Sequence, residues 1–451
     1  MYQYDVVIVG GGVAGLYISH IIANAGFKTA LIEMKDEENI GNKTCGDAIG
    51  EHHFIELNLD IPLIGVDAEG FYKGVKLVSP DETIEITVNG RGIALNRKNF
   101  GIRLYKMAVN SGAEVFPSHF FTKPLVEGSW IKGIIAKDKN NRNITFYSKV
   151  VVDASGVSSI VRRSLPKEWW ISETIPREDY NITYREIVLG EFDIEKEYAY
   201  IYLNTDIAPG GYWWLFPKIN SVYNIGLGVQ WRKDAPNPIS NYKKFIAERF
   251  HNKIYKVLHS GGGLVPTRRP IPCMVWNGFV VIGDAAATAN PVHGGGIGSA
   301  MISSKVAAKV IIEALSKDEP TIENLWPYHT EYHKLYGAKQ ASLDVLRLFL
   351  QRMSNSDLNY VFKSKIVTGD EVYNMGYKGE LSHSILDRIT TLISLARRPS
   401  FLSKLYRLKQ YMDKAYQLYI NYPGKPSDYE KWRNEEIKLF SEIKEWLNKA
   451  S

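Results

Sequence analysis

Gly10-Gly11-Gly12-Val13-Ala14-Gly15 has the spacing G-x-G-x-x-G, and Glu33 follows it by about 20 residues. In such a loop the first glycine permits a tight turn, the second lets a pyrophosphate approach the backbone, and the third brings helix and strand together. Gly10, Gly12 and Gly15 hold those places, with Ala14 between the last two. The helix that opens there offers unpaired N–H groups and a positive dipole end to phosphate. Glu33 falls where an acidic side chain accepts a hydrogen bond from a ribose 2′-hydroxyl. The chemistry implied is binding of an adenine dinucleotide. Cys45 and His293 are candidates for proton chemistry. Each has a plainer reading, Cys45 as a small buried hydrophobe and His293 as a solvated residue of a glycine-rich loop. Tyr212, Trp214 and Phe216 alternate along a strand, so they share one face and either wall a flat apolar slot or pack as sheet-core aromatics.

The elements that must position these residues are legible in the hydrophobic pattern. Val6-Val7-Ile8-Val9 is a β-branched run of the kind found in strands buried on both faces. Leu16 to Ala25 reads as a small-residue helix, and Lys28-Thr29-Ala30-Leu31-Ile32 as a second strand ending on Glu33. Together they make a βαβ unit. Residues 65–95 and 178–230 show the period-two alternation of an antiparallel sheet. Residues 97–110 and 240–258 read as helices, Phe279-Val280-Val281-Ile282 as a buried strand, and Ser299 to Leu315 as another helix. From about residue 335 the pattern is helical, with a break near Tyr422-Pro423-Gly424. The expected fold class is α/β, a Rossmann-type dinucleotide domain interleaved with an antiparallel-sheet substrate domain, plus a helical C-terminal region. The expected boundaries are 1–60, 96–175 and 260–335 for the first, 61–95 and 176–259 for the second, and 336–451 for the third.

Composition narrows the class further. Of 451 residues, 45% are hydrophobic and 23% charged, the balance of a globular chain with a sizeable core. The net charge of +6 comes without a run of like charges, so no nucleic-acid partner is expected. Two cysteines, Cys45 and Cys273, cannot build a disulfide framework or a four-cysteine metal site. His52 and His53 lack a third ligand at metal spacing, and no metal site is expected. No apolar stretch approaches the ~18 residues of a spanning helix, and the N-terminus lacks a signal peptide's basic region. A cytoplasmic protein with peripheral contact at a membrane is expected.

Further segments decide between dinucleotides. Val151-Val152-Asp153-Ala154-Ser155-Gly156 with Arg162-Arg163, and Ile282-Gly283-Asp284-Ala285-Ala286 followed by Asn290-Pro291-Val292-His293-Gly294-Gly295-Gly296-Ile297-Gly298, resemble the second and third nucleotide-contacting segments of the para-hydroxybenzoate-hydroxylase-like flavoproteins. The resemblance implies FAD, with Asp284 on the ribityl chain and the backbone of Gly295, Gly296 and Ile297 facing the flavin's pyrimidine edge. Arg97, opening Arg97-Lys98-Asn99-Phe100, matches the arginine those proteins place near the ribityl–phosphate portion, and Phe121 lies where they pair the adenine edge. Lys43-Thr44-Cys45-Gly46-Asp47, Pro209-Gly210-Gly211-Tyr212-Trp213-Trp214-Leu215-Phe216-Pro217 and Gly263-Leu264-Val265-Pro266-Thr267-Arg268-Arg269-Pro270 resemble the archaeal geranylgeranyl reductases. This covers residues 1 to about 300, and Asp47 departs from the Cys-Gly-Gly of many relatives.

That family resemblance implies an oxidoreductase saturating the C=C bonds of geranylgeranyl chains in archaeal membrane-lipid precursors, with hydride from flavin N5 and a proton to the other carbon. Cys45 and Gly46 would then lie beside the isoalloxazine, where Cys45 donates the proton or holds the ring. Tyr212, Trp214 and Phe216 would contact the prenylated substrate. Such an enzyme needs an external electron donor (a ferredoxin, NADPH or another), because the chain has no second dinucleotide fingerprint and too few cysteines for an iron–sulfur cluster. The same fold also serves flavin-dependent aromatic hydroxylases and halogenases, and a non-catalytic prenyl-binding escort is a third reading. The stretch Phe401 to Tyr419 puts Phe401, Leu405, Leu408, Met412, Ala415 and Tyr419 on one helical face, either docking on anionic lipid or packing on the protein's own core.

Overall fold

The computed structural model describes residues 2–379, Ile385 and 399–450. The β-branched run at the N-terminus is the centre of strand β1 (Tyr2–Val9), which pairs in parallel with β2 (Thr29–Ile32) on one side and β9 (Asn143–Asp153) on the other. Val6, Val7 and Ile8 are fully buried, as expected of a central parallel strand covered on both faces. The helix Val13–Asn24 links β1 to β2, and Gly26, at φ +88°, turns the chain back toward β2. β6 (Glu114–Phe116), β16 (Phe279–Val281) and β15 (Val275–Trp276) complete the order β15-β16-β9-β1-β2-β6. The hairpin β7 (Phe120–Glu127) and β8 (Trp130–Lys137) joins through β9.

The second sheet is largely antiparallel. It contains β3 (Ala48–Gly50), β4 (Ala68–Val78), β5 (Glu85–Leu95), β10 (Tyr180–Gly190), β11 (Tyr198–Tyr202), β12 (Tyr212–Pro217), β13 (Val222–Gln230) and β14 (Ile254–Pro266). Their order is β14-β10-β13-β12-β11-β4-β5-β3. Two expectations are corrected here. Residues 240–258 are not one helix: a short helical stretch ends by Ala247, and Ile254 onward is an edge strand against β10. Gly262 permits the close approach of this strand to β10, since a Cβ there would meet the Thr183 carbonyl oxygen at 2.3 Å. Residues 48–50 and 260–266 accordingly belong to the second sheet and not to the dinucleotide-binding unit.

The C-terminal helices close over the second sheet. Ala338–Leu350 packs on Pro399–Ile420, and Tyr429–Ala450 follows after the break at residues 421–428. Phe401, Leu405, Leu408, Met412, Ala415 and Tyr419 are all buried, so that face packs inside the protein and is not an interfacial surface. A buried ionic cluster fastens this layer. Asp344 takes Arg269 Nη1 at 3.0 Å and Arg347 Nη2 at 2.6 Å, while Asp179 takes Arg347 Nη2 at 2.9 Å and Arg268 Nη1 at 3.3 Å. Arg269 also bonds Glu436 of the last helix. The segment Thr267-Arg268-Arg269 thus ties the end of β14 to the helices. Among the described residues no helix is long and apolar enough to cross a membrane.

Candidate active site

One continuous cavity of about 2280 Å³ runs from the β1 glycine loop, past Cys45, to the face of the second sheet. At its dinucleotide end, Gly10 has φ +110° and Gly15 packs so tightly that a Cβ would lie 1.8 Å from the Gly10 carbonyl oxygen. Gly12 differs: nothing lies within 4 Å of the place where its Cβ would stand. That open cradle sits at the N-cap of the Val13–Asn24 helix. Ala14, within that helix's first turn, lines the cavity beside it. Glu33, at the end of β2, accepts the Gly11 N–H at 2.5 Å and the Lys35 N–H at 2.8 Å, and it lines the cavity with room for further donors. Arg97 is the first residue of the helix Arg97–Asn110, 7% exposed, with Nε and Nη1 lacking any partner. An unpaired buried guanidinium is costly, so its place beside the glycine cradle fits a phosphate-bearing cofactor. Phe121, half-buried on β7, lines the same end.

The next stretch is built from two loops. Asp284 pairs with Lys43 at 2.8 Å, which holds the Lys43 ammonium above its ordinary range. Gly296 caps the helix Ile297–Ser316, and its Cβ position is 3.1 Å from Asp284 Oδ1. Gly295, Gly296 and Ile297 therefore present the start of a helix to the cavity, a place where negative charge is favoured. His293 braces this loop: its Nδ1 accepts the Gly295 N–H at 3.1 Å, and its carbonyl accepts the Tyr212 hydroxyl at 2.6 Å. His293 is exposed on the cavity wall, and desolvation by the protein around its ring, with Lys339 nearby, pushes it down to about 4. It is neutral near pH 7. His52 and His53 lie beside the same helix with ring centroids 4.1 Å apart and planes tilted by 40°, and among the described residues no group of three ligands could hold a metal.

Cys45 stands between the loops and the second sheet. Its Sγ donates to Asp47 Oδ1 at 3.3 Å and accepts the Asp47 N–H at 3.0 Å. Burial, then the Asp47 carboxylate, pushes the thiol up to about 11, so it carries its proton at neutral pH. Asp47 has φ +62° and is fixed by Lys218 Nζ at 2.9 Å and Asn224 Nδ2 at 3.0 Å. Lys218 also reaches Glu69 at 2.6 Å, and although burial opposes its charge, the two carboxylates hold it protonated. Asn224 accepts Trp214 Nε1 at 2.9 Å and donates to the Cys45 carbonyl at 3.0 Å. Gly46 packs edge-on to Phe216, whose ring lies 3.3 Å from its Cβ position.

Tyr212, Trp214 and Phe216 follow one another on β12 with ring centroids 6.0 Å apart, and all three line the cavity. Trp213 and Leu215 point to the other side, into a separate core with Tyr202 and Tyr223. Beyond the aromatics the floor is aliphatic, with Ile201, Leu77 and Ile86, under Leu346 and Phe349 of the C-terminal helices. The candidate residues thus lie along one channel. Asp47, Lys218 and Asn224 received no role from the sequence. Lys218 carried a signal all the same, a lysine directly following an aromatic strand.

Residues 5–164 match the FAD dependent oxidoreductase family and residues 179–265 the geranylgeranyl reductase catalytic domain. The digeranylgeranylglycerophospholipid reductase of Sulfolobus acidocaldarius is 41% identical over 99% of this chain and 99% of its own length. That of Methanocella arvoryzae is 30% identical, covering 79% of this chain and 90% of its own. The crystal structure of a geranylgeranyl bacteriochlorophyll reductase-like protein from Thermoplasma acidophilum superposes with TM-score 0.78 at 24% identity, over 90% of this chain and 100% of that one. A flavin-dependent brominase shares the fold at TM-score 0.67 and 19% identity, over 88% of this chain and 100% of its own. The cofactor is FAD, as the glycine cradle and Arg97 fit. With an end-to-end match at this identity, the chain belongs to the digeranylgeranylglycerophospholipid reductase family.

Proposed function

We propose that this protein saturates the C=C bonds of geranylgeranyl chains in archaeal membrane-lipid precursors, and that Cys45 supplies the proton. The observation that carries this reading is the continuity of the cavity, from the dinucleotide cradle past Cys45 onto an apolar, aromatic-walled sheet face. An isolated alkene has no carbonyl to polarise, so its reduction needs a dry slot that holds the chain flat beside the hydride donor. Bound, reduced FAD supplies that hydride. Tyr212, Trp214 and Phe216 orient the chain and exclude water. Cys45, protonated well above neutral pH, gives its proton to the other alkene carbon and is left as a thiolate. His293, neutral and engaged in its loop, is the less suited donor. Electrons reach the flavin from an external donor such as a ferredoxin or NADPH.

The test is anaerobic reduction by dithionite followed by addition of a geranylgeranyl lipid. Flavin reoxidation with a mass gain of about 2 per reduced double bond is expected. A reduced flavin that persists in the presence of the lipid, but reacts rapidly with oxygen to hydroxylate an aromatic, would overturn the reading.

A further inference from the structure

The second sheet carries a row of paired residues whose chemistry changes from end to end. Arg185, Gly226, Trp214, Ile201, Leu77 and Ile86 are register partners, strand by strand. Directly paired residues project to the same face, and the five side chains of the row all line the cavity. From β10 to β5 the row crosses five strand spacings, about 24 Å. Trp214 stands two strands from Arg185 and is joined through Asn224 to the Cys45 carbonyl. The reacting centre is therefore flanked by a cation on one side and by aliphatic floor on the other.

Arg185 is the anomaly in this floor. It is 7% exposed, its Nη1 lies 2.8 Å from His259 Nδ1, and its Nε has no partner. Among the described residues no carboxylate pairs with it. The acids along the cavity are engaged elsewhere: Asp47 and Glu69 by Lys218, Asp284 by Lys43, Glu51 by Arg91, Asp36 by Asn39, and Glu33 by backbone N–H groups. A guanidinium removed from water without a counter-charge is costly, so its position at the end of an apolar floor is explained if a ligand brings the charge. His259 is exposed on the edge strand β14 and, accepting from Arg185 at Nδ1, presents Nε2–H as a second donor.

We propose that Arg185 and His259 bind the phosphate-bearing end of the substrate, at the β14 edge of the cavity, and that the prenyl chain runs from there past Trp214 toward Ile86. This rests on the prenyl-reductase reading. The row then sets the direction in which the lipid enters and which part of the chain faces Cys45.

The test uses the oxidised holoenzyme and three probes: geranylgeranyl phosphate, geranylgeraniol and inorganic phosphate. Binding is followed by calorimetry, independently of turnover. Wild type is expected to bind the prenyl phosphate about tenfold or more tightly than the alcohol. In Arg185→Gln that preference disappears, and Arg185→Lys restores part of it. His259→Gln, at an exposed position, weakens it to a smaller degree. In turnover, Arg185→Gln raises KM for the prenyl phosphate about tenfold with kcat within about twofold. Equal affinity of wild type for phosphate and alcohol, or an unchanged preference in Arg185→Gln, overturns the proposal. So does inorganic phosphate binding as tightly as the prenyl phosphate, because the site would then serve a free anion. If neither prenyl ligand binds wild type, the prenyl reading itself fails. Arg185-dependent binding of inorganic phosphate would then show an anion site without lipid.

Discussion

Cys45 is a thiol kept protonated by its surroundings, and that property can be measured separately from turnover. Alkylation by iodoacetamide needs the thiolate, so its rate should rise with pH toward an inflection near 11, well above the ordinary thiol range. Asp47→Asn removes the neighbouring negative charge and should move the inflection down. Cys273 gives no competing signal, being 1% exposed and pushed up to about 12 by burial. Because the thiol stays protonated, activity should show no loss of a proton donor between pH 5 and 9 (a window of roughly neutral values). Cys45→Ala should retain FAD and lose about 10²-fold or more in alkene reduction, the usual contribution of a positioned acid. An inflection at the ordinary thiol value, or an alanine variant with full activity, removes Cys45 from this role. The sequence makes Cys45 conspicuous, and Asp47 too, as a departure from Cys-Gly-Gly. It could not show why the aspartate is tolerated. Its partner Lys218 is 171 residues away, and only the pairing of β12 with β13 brings Asn224 to the same carboxylate.

The first βαβ element was legible because its rules are local: a β-branched run, glycines at fixed offsets, and an acid at the next strand's end. Its glycines do different work, and two single substitutions separate them. Gly12→Ala places a methyl group in open space, so the apo protein should keep its stability within about 0.5 kcal/mol yet retain less FAD after dialysis. Gly15→Ala drives a methyl group into the Gly10 carbonyl. It should cost stability at or beyond the upper end of the roughly 1–3 kcal/mol typical of overpacking. Denaturant midpoints of the two apo variants, with flavin content measured beside them, check both statements. The edge strand β14 was not legible, because a run such as Tyr255 to Leu258 suits helix or strand, and the decision is made by β10 lying alongside. The same holds for Arg268 and Arg269, whose partners Asp179, Asp344 and Glu436 come from three remote elements. Asp344→Ala leaves two buried guanidinium groups short of a counter-charge and should cost about 3–5 kcal/mol. A urea midpoint equal to that of wild type would show that this cluster does not fasten the helical layer.

For the whole molecule, the question is how a membrane lipid reaches a cavity inside a protein without a spanning helix among its described residues. Exposing a chain to water costs about 0.8 kcal/mol per CH₂, so a lipid with two geranylgeranyl chains does not travel free, and we propose that the enzyme collects it at the bilayer. The helix Pro399–Ile420 does not provide the contact, since its apolar face is buried. A different surface carries the apolar residues that a soluble fold would ordinarily cover. Leu63 is 64% exposed, Ile64 47% and Val66 58%, and Ile55 just before them is 64% exposed while also lining the cavity. Apolar side chains clustered this way mark an interaction surface, and here the surface adjoins the cavity itself. The expected outcome is that the protein floats with anionic vesicles, and that Leu63→Glu with Val66→Glu abolishes flotation without lowering the thermal midpoint. The same double variant should reduce a short, water-soluble prenyl substrate at the wild-type rate while losing about tenfold or more on lipid presented in vesicles. If the variant floats as wild type does, this patch is not the contact. If it slows both substrates equally, the substitutions have disturbed the cavity and not its meeting with the membrane.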